Sequence, residues 1–159
     1  MSKLAPPATR IDGSSFRLAV AAACYNRDYV DALLGQVLTT LAAAGVKQHH
    51  ITVVRVPGSN ELPVAVQLLA EKMRPDCLIA LGVIIRGGTS HHELIAHGVT
   101  GALQQVALAA RLPVINGVVV VNSEKQAELR TRGRLNRGAE FARAALEMVV
   151  LKRSCRAKK

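Results

Sequence analysis

Tryptophan is absent, and only four aromatic side chains, Phe16, Tyr25, Tyr29 and Phe141, occur in 159 residues. A protein that holds single strands by stacking bases on aromatic rings has no platform for it here. Cysteine is scarce as well. Cys24, Cys77 and Cys155 are odd in number and lack metal-ligand spacing, so no metal site is expected. Cys24 and Cys77 lie in apolar runs and are expected as reduced, buried packing residues, with Cys155 exposed. No apolar run approaches the roughly 20 residues that span a bilayer. The opening MSKLAPPATRIDGSS has no apolar core and is not a secretory signal. A soluble cytoplasmic protein is expected. Acids are outnumbered, 11 against 21 Lys and Arg, and the imbalance is uneven. From Arg130 onward ten Lys or Arg face only Glu140 and Glu147. Such an end suits RNA or an acidic surface. With so few aromatics nucleic-acid binding is the least favoured reading, and LKRSCRAKK reads as a solvated, frayed terminus.

What is present is a chain that is half apolar and long enough for one domain with its own core. Residues 1–15 read as a flexible arm, 16–153 as the domain and 154–159 as a basic tail. Phe16 to Ala23 is a first strand. From Asp28 to Ala44, Val30, Leu33, Leu34, Val37, Leu38 and Leu41 recur at helical spacing, and Gly45 is placed to end that helix. Ile51 to Val56 is a second strand, followed by a helix to about Met73 with Pro63 in its first turn. Cys77 to Ile85 is a third strand, apolar enough to be buried on both faces, and a helix runs from His91 to about Arg111. VINGVVVV, opened by Pro113, is a fourth strand. Ser123 with Gln126 reads as a capping box for a helix to about Arg132, and a last amphipathic helix carries Phe141, Ala145, Leu146 and Val149. Four alternations predict a three-layer α/β/α sandwich on a four-stranded parallel sheet, with ligands at the carboxyl ends of the strands.

CLIALGVIIRGGTSHHEL organises the rest. Its apolar strand turns at Arg86-Gly87-Gly88 and enters a helix, where Ser90 and Glu93 have the spacing of a second capping box. A glycine turn opening a helix presents backbone N–H groups and the positive end of the dipole to an anion. Gly87, Gly88 and Thr89 are candidates to cradle phosphate or carboxylate, with His91 beside them. An ordinary turn with exposed histidines is the plain alternative. His92 and His97 read as surface or packing residues. Three further polar segments belong at the strand ends: Tyr25-Asn26, Gly58 to Glu61, and Asn116 onward, the last lying inside its strand.

VRVPGSNELPVA, ALGVIIRGGTSHHELIA and PVINGVVVVNSEKQAELR resemble the signature segments of the lumazine synthases, in unbroken order over roughly residues 16–151. The resemblance implies a flavodoxin-like strand order, with the N-terminal arm free to add to a neighbour's sheet. It also implies a condensation of 5-amino-6-(D-ribitylamino)uracil with 3,4-dihydroxy-2-butanone 4-phosphate. The products are 6,7-dimethyl-8-ribityllumazine, phosphate and water, the penultimate step of riboflavin synthesis, without cofactor or metal. By position, Tyr25 matches the residue stacking on the pyrimidine ring, followed by Asn26. Ser59, Asn60 and Glu61 match the segment holding ribityl chain and ring, and Val83, Ile84 and Ile85 the strand end lining the pyrimidine pocket. Gly88 and Thr89 match the phosphate turn and His91 the proton-transferring histidine. Asn116 and Arg130 match residues presented by the adjacent subunit, the arginine on phosphate. Tyr25 stands where Phe or Trp is usual, Asn116 where many members have Phe, and His92 and Leu94 where aromatics flank Glu93.

The same resemblance implies a homopentamer, in many members twelve pentamers in an icosahedral shell, and riboflavin synthase as a candidate partner. The short link TRGRLNRG is compatible with the shell. A second reading is a catalytically weak paralogue that binds flavin or lumazine or serves as a shell protein.

Overall fold

In the computed structural model, residues 11–156 are described. Four strands form one sheet: β1 (Leu18–Ala23), β2 (Ile51–Val56), β3 (Cys77–Ile85) and β4 (Val114–Val121), in the order β2-β1-β3-β4. All pairings are parallel, with Leu18 opposite both Ile51 and Cys77, and Leu78 opposite Val114. The helices are α1 (Arg27–Ala43), α2 (Leu62–Met73), α3 (His91–Ala110), α4 (Glu124–Thr131) and α5 (Arg137–Arg156), with short 3-10 turns at Gln48–His50 and Ser59–Glu61. The expected three-layer sandwich is therefore the observed one.

Side-chain alternation along β1 and β3 builds the two half-cores. Leu18, Val20 and Ala22, with Cys77, Ile79, Leu81 and Val83, face α1 and α5, where Val30, Leu33, Val37, Ala145 and Val149 are buried. Ala19, Ala21, Ala23 and Ala80 face α2 and α3, meeting Leu62, Val66, Val99 and Leu103. Alanines on that face bring the helices close to the strands. On β4, Gly117 faces the opposite layer, where a Cβ would lie 2.7 Å from the Ala80 carbonyl oxygen and from the Leu81 side chain and 3.1 Å from the Phe141 ring of α5.

The chain starts in an inner strand, moves out to β2, then crosses back to β3. The winding reverses between β1 and β3, and such a reversal leaves a crevice at the carboxyl ends of those strands. Helix ends follow the local sequence. Gly45, at φ +86°, follows the cap of α1, a backbone state that costs glycine little. Pro63 sits in the first turn of α2.

Four local expectations need correction. Ser90 precedes α3 but makes no side-chain cap, so the Ser90–Glu93 box does not form. At α4 the box is half made: Ser123 Oγ accepts the Gln126 N–H at 3.3 Å, but the Gln126 amide oxygen reaches the Asn122 N–H at 3.0 Å. Cys24 is exposed because its strand ends at Ala23. Cys77 is buried, which pushes its thiol up to about 12. Finally, the first and last described segments are held in place, and meet each other at Ser15 and Arg153. The Gly13 N–H donates to the Ala44 carbonyl at 2.7 Å and Ile11 packs on the core. LKRSCR continues α5 through Arg156. The Arg153 guanidinium reaches Asp76 at 2.8 Å and Ser15 Oγ at 2.7 Å, and lies 4.5 Å over the Phe16 ring. Residues 1–10 of the arm expected over 1–15, and the last three residues of the tail, lie outside the described residues.

Candidate functional site

Backbone hydrogen bonds carry the sheet beyond its last strand residues. The Cys24 N–H donates to the Val56 carbonyl at 2.8 Å and the Tyr25 N–H to the Pro57 carbonyl at 3.1 Å. Tyr25 is thereby brought beside Gly58, where a Cβ would approach its ring to 3.4 Å. The residue is 75% exposed, and its ring offers a large apolar face to solvent. Asn26 holds a left-handed conformation, φ 53° and ψ 42°, which asparagine tolerates better than most residues. Its Nδ2 donates to the Val83 carbonyl at 2.8 Å, tying the β1 exit to the β3 exit across the winding reversal.

The segment after β2 is shaped by Glu61, whose carboxylate accepts the Gly58 N–H at 2.8 Å. Ser59 is buried against β3 over Gly82, where a Cβ would lie 2.5 Å from the serine oxygen. On the far side the Arg86 N–H donates to the Val121 carbonyl at 2.9 Å, so the chain leaves the sheet only at Gly87. Ser90 supplies no cap. The first N–H groups of α3 are thus without the usual side-chain acceptor, the condition under which a helix start receives an anion. A different side chain binds this turn: His92 Nδ1 lies 2.9 Å from the Thr89 carbonyl oxygen.

These segments enclose a cleft of about 580 Å³. Tyr25, Asn26, Ser59, Asn60, Glu61, Val83, Ile84, Ile85, Thr89 and His91 all line it. Gly88 belongs to the same turn without lining the cleft. Asn116 and Arg130 are not brought there. Asn116 lies within β4, its Nδ2 donating to Thr100 Oγ1 at 3.2 Å and its Oδ1 accepting the Val118 N–H at 3.1 Å. Arg130 lies on α4 with its guanidinium on the Gln126 carbonyl at 3.1 Å. His92 and Ile95 line the cleft and were not expected to. The signal for Ile95 was its place four residues after His91, on the same helix face. A larger groove of about 870 Å³ runs between α2 and α3 past Arg74 and Arg111. Those residues cap the helices that lead into β3 and β4, so that end of the groove faces the amino ends of the strands, away from the crevice.

Taken together, the parallel sheet, the crevice at its winding reversal, the open tyrosine face and the uncapped helix start define an α/β protein with an open cleft at the carboxyl ends of its strands. The family model described as 6,7-dimethyl-8-ribityllumazine synthase matches residues 15–153. Among curated relatives of that description, the one from Halorhodospira halophila is 44% identical over 142 residues, 89% of this chain and 91% of the relative. One from Kineococcus radiotolerans is 44% identical over 153 residues, 94% and 93% respectively. One from Verminephrobacter eiseniae is 39% identical over 144 residues, 91% and 92%. The chain belongs to the 6,7-dimethyl-8-ribityllumazine synthase family and is an enzyme, a transferase of riboflavin biosynthesis.

Proposed function

We propose that the protein condenses 5-amino-6-(D-ribitylamino)uracil with 3,4-dihydroxy-2-butanone 4-phosphate to give 6,7-dimethyl-8-ribityllumazine. The observation that carries this reading is the meeting of three strand-end segments in one cleft, in a chain of this family. Tyr25 offers its exposed face to the pyrimidine, whose edge meets the ends of Val83 to Ile85. Ser59, Asn60 and Glu61 take the ribityl hydroxyls. Gly88 and Thr89 with the start of α3 take the phosphate.

The chemistry suits such a site. The 5-amino group adds to the ketone and water leaves as an imine forms. Phosphate is expelled next, and the ribitylamino nitrogen closes the ring with loss of the second water. Both reactants are intrinsically reactive, so orientation supplies much of the acceleration. His91, in the cleft beside the phosphate turn, moves the protons, a task for which imidazole is suited near neutral pH. No metal or cofactor enters this scheme.

Arg130 and Asn116 act, on this reading, in the cleft of a neighbouring copy, Arg130 on the phosphate. Two observations support association. Both residues stand away from their own chain's cleft, and α3 buries only Val99 and Leu103 of its twenty residues while Leu94 and Leu108 are exposed. A homopentamer is the proposed unit and the icosahedral shell its proposed assembly, with riboflavin synthase as a candidate partner. A cytoplasmic location is part of the same proposal; among the described residues no helix is long and apolar enough to cross a membrane.

The test is direct. The purified protein is mixed with both substrates, and lumazine is followed by absorbance and fluorescence. Product above the uncatalysed rate is expected, and its absence rejects the reading. Light scattering measures the assembly, and a monomer rejects the shared cleft.

A further inference from the structure

The hydrogen-bond partner of His92 identifies which of its ring nitrogens is the donor. A carbonyl oxygen only accepts hydrogen bonds, so the imidazole nitrogen 2.9 Å from the Thr89 carbonyl must carry the proton. That nitrogen is Nδ1. Its Nε2 lies 3.8 Å from Glu93 Oε1, and the side chain is only 10% exposed although it follows His91 in the first turn of a helix. The donor persists in both the neutral Nδ1–H tautomer and the imidazolium.

The Thr89 carbonyl shares a plane with the Ser90 N–H, which points the opposite way in a trans peptide. Holding the carbonyl therefore sets the direction of that N–H. A rotated Thr89–Ser90 unit would exchange the N–H for a carbonyl dipole in the turn, and a carbonyl repels an anion. No Ser90 side-chain cap stiffens this helix start, and a Cβ at Gly87 or Gly88 would meet nothing within 4 Å, so packing does not restrain those positions either.

We propose that His92 is a positioning residue for the phosphorylated substrate: its Nδ1–H latches the Thr89–Ser90 peptide in the orientation that keeps the phosphate turn open to an anion. The inference rests on the reading of that turn as the phosphate site. It assigns His92 a role distinct from that of His91, because the latch transfers no proton and does not depend on charge.

The test compares His92→Asn, whose side-chain amide can place a donor near the position of Nδ1, with His92→Phe, which fills the space and donates nothing. Steady-state KM is measured for each substrate, together with competition by inorganic phosphate and the rise in melting temperature that phosphate produces. His92→Phe is expected to raise the KM for the butanone phosphate and weaken phosphate competition about tenfold, the scale of one lost hydrogen bond. The KM for the aminouracil and kcat should stay within about twofold, and His92→Asn should stay within about threefold of the parent on every reading. Should His92→Phe not fold, His92→Ala replaces it in the same comparison.

A phenylalanine variant that binds phosphate normally overturns the latch. So does an asparagine variant as impaired as the phenylalanine one, which would make the ring or its charge the important feature. Equal losses for both substrates would reduce His92 to a packing residue. If the parent protein forms no lumazine, the functional reading fails, while the phosphate-dependent melting shift still tests the latch.

Discussion

Replacing Gly82 by alanine perturbs the cleft from beneath, through the one lining side chain that rests on it, Ser59. Gly82 is in β3 on the face turned toward α2, under the turn that carries Ser59. The added methyl would lie 2.5 Å from Ser59 Oγ and 3.3 Å from both Ser59 Cβ and Leu62 Cδ1. The first distance is far inside van der Waals contact, and Ser59 is buried, so the serine cannot simply rotate into solvent. Either the Ser59–Glu61 turn lifts or β3 shifts. Overpacking of this kind costs about 1–3 kcal/mol, or roughly 2–10 °C in melting temperature for a chain of this size.

The functional cost should fall on one substrate. Ser59, Asn60 and Glu61 are the proposed ribityl contacts, so a lifted turn raises the KM for the aminouracil, about tenfold for each 1.4 kcal/mol of lost contact. The KM for the butanone phosphate should change little, because the phosphate turn rests on β3–β4 pairing. Ser59→Ala in the Gly82→Ala background removes the 2.5 Å clash and leaves only the 3.3 Å contacts. It should recover at least about 1 kcal/mol of the lost stability, a coupling measurable by a double-mutant cycle. The assay is melting at fixed protein concentration, since association shifts apparent stability, with KM measured for both substrates. A Gly82→Ala protein that melts and saturates like the parent, or one not helped by Ser59→Ala, would refute the reasoning.

Other substitutions separate the remaining roles. His91→Ala should lower kcat by about 10² while leaving both KM values near those of the parent, because orientation survives loss of the proton carrier; an unchanged kcat rejects the assignment. Arg130→Ala should raise the KM for the butanone phosphate more than any other change here, and normal saturation by that substrate would remove Arg130 from the site. Asp76 provides a pH test. Burial raises its carboxyl, but the Arg153 hydrogen bond, the Arg17 N–H at 2.9 Å and the charges of Arg153 and Lys152 outweigh it, leaving a net depression below 3.8. A carboxyl depressed on folding stabilises the fold above its unfolded value, and the gain is lost as pH falls through the folded one. Asp76→Asn should therefore melt below the parent at pH 7, by the equivalent of about 1–3 kcal/mol, and the gap should close in strong acid. A gap that is constant with pH would show that the carboxylate charge is not what holds the chain ends.

Much of the fold was legible because its signals are local and repeated. Ile51 to Val56 and Cys77 to Ile85 are strands with the bounds expected, since continuous β-branched and apolar runs between turn residues admit few other states. The capping boxes were less legible. Ser90 and Glu93 have the right spacing, but spacing says nothing about competing partners, and the bond made in that turn is from His92. Likewise Cys24 and the LKRSCR segment were misjudged from composition. The ion pair of Arg153 with Asp76 spans 77 positions, and a contact that distant leaves no local trace.

The candidate site divides along the same line. Residues that directly follow a strand could be placed from topology, because the sheet delivers every strand end to one rim. Asn116 does not follow its strand but lies inside it, paired with Ala80, and Arg130 lies on a helix beyond the fourth strand. Asn116 cannot reach the cleft of its own chain while β4 keeps this register, because moving it to the rim would require unpairing Gly117 through Val121 from β3. A role for Asn116 in the site therefore demands a second chain. The sparsely buried α3 provides a place for one, and its first turn already lines the cleft. In the proposed assembly, association and chemistry share one element, so a change that loosens contacts along α3 should also disturb the proposed phosphate turn.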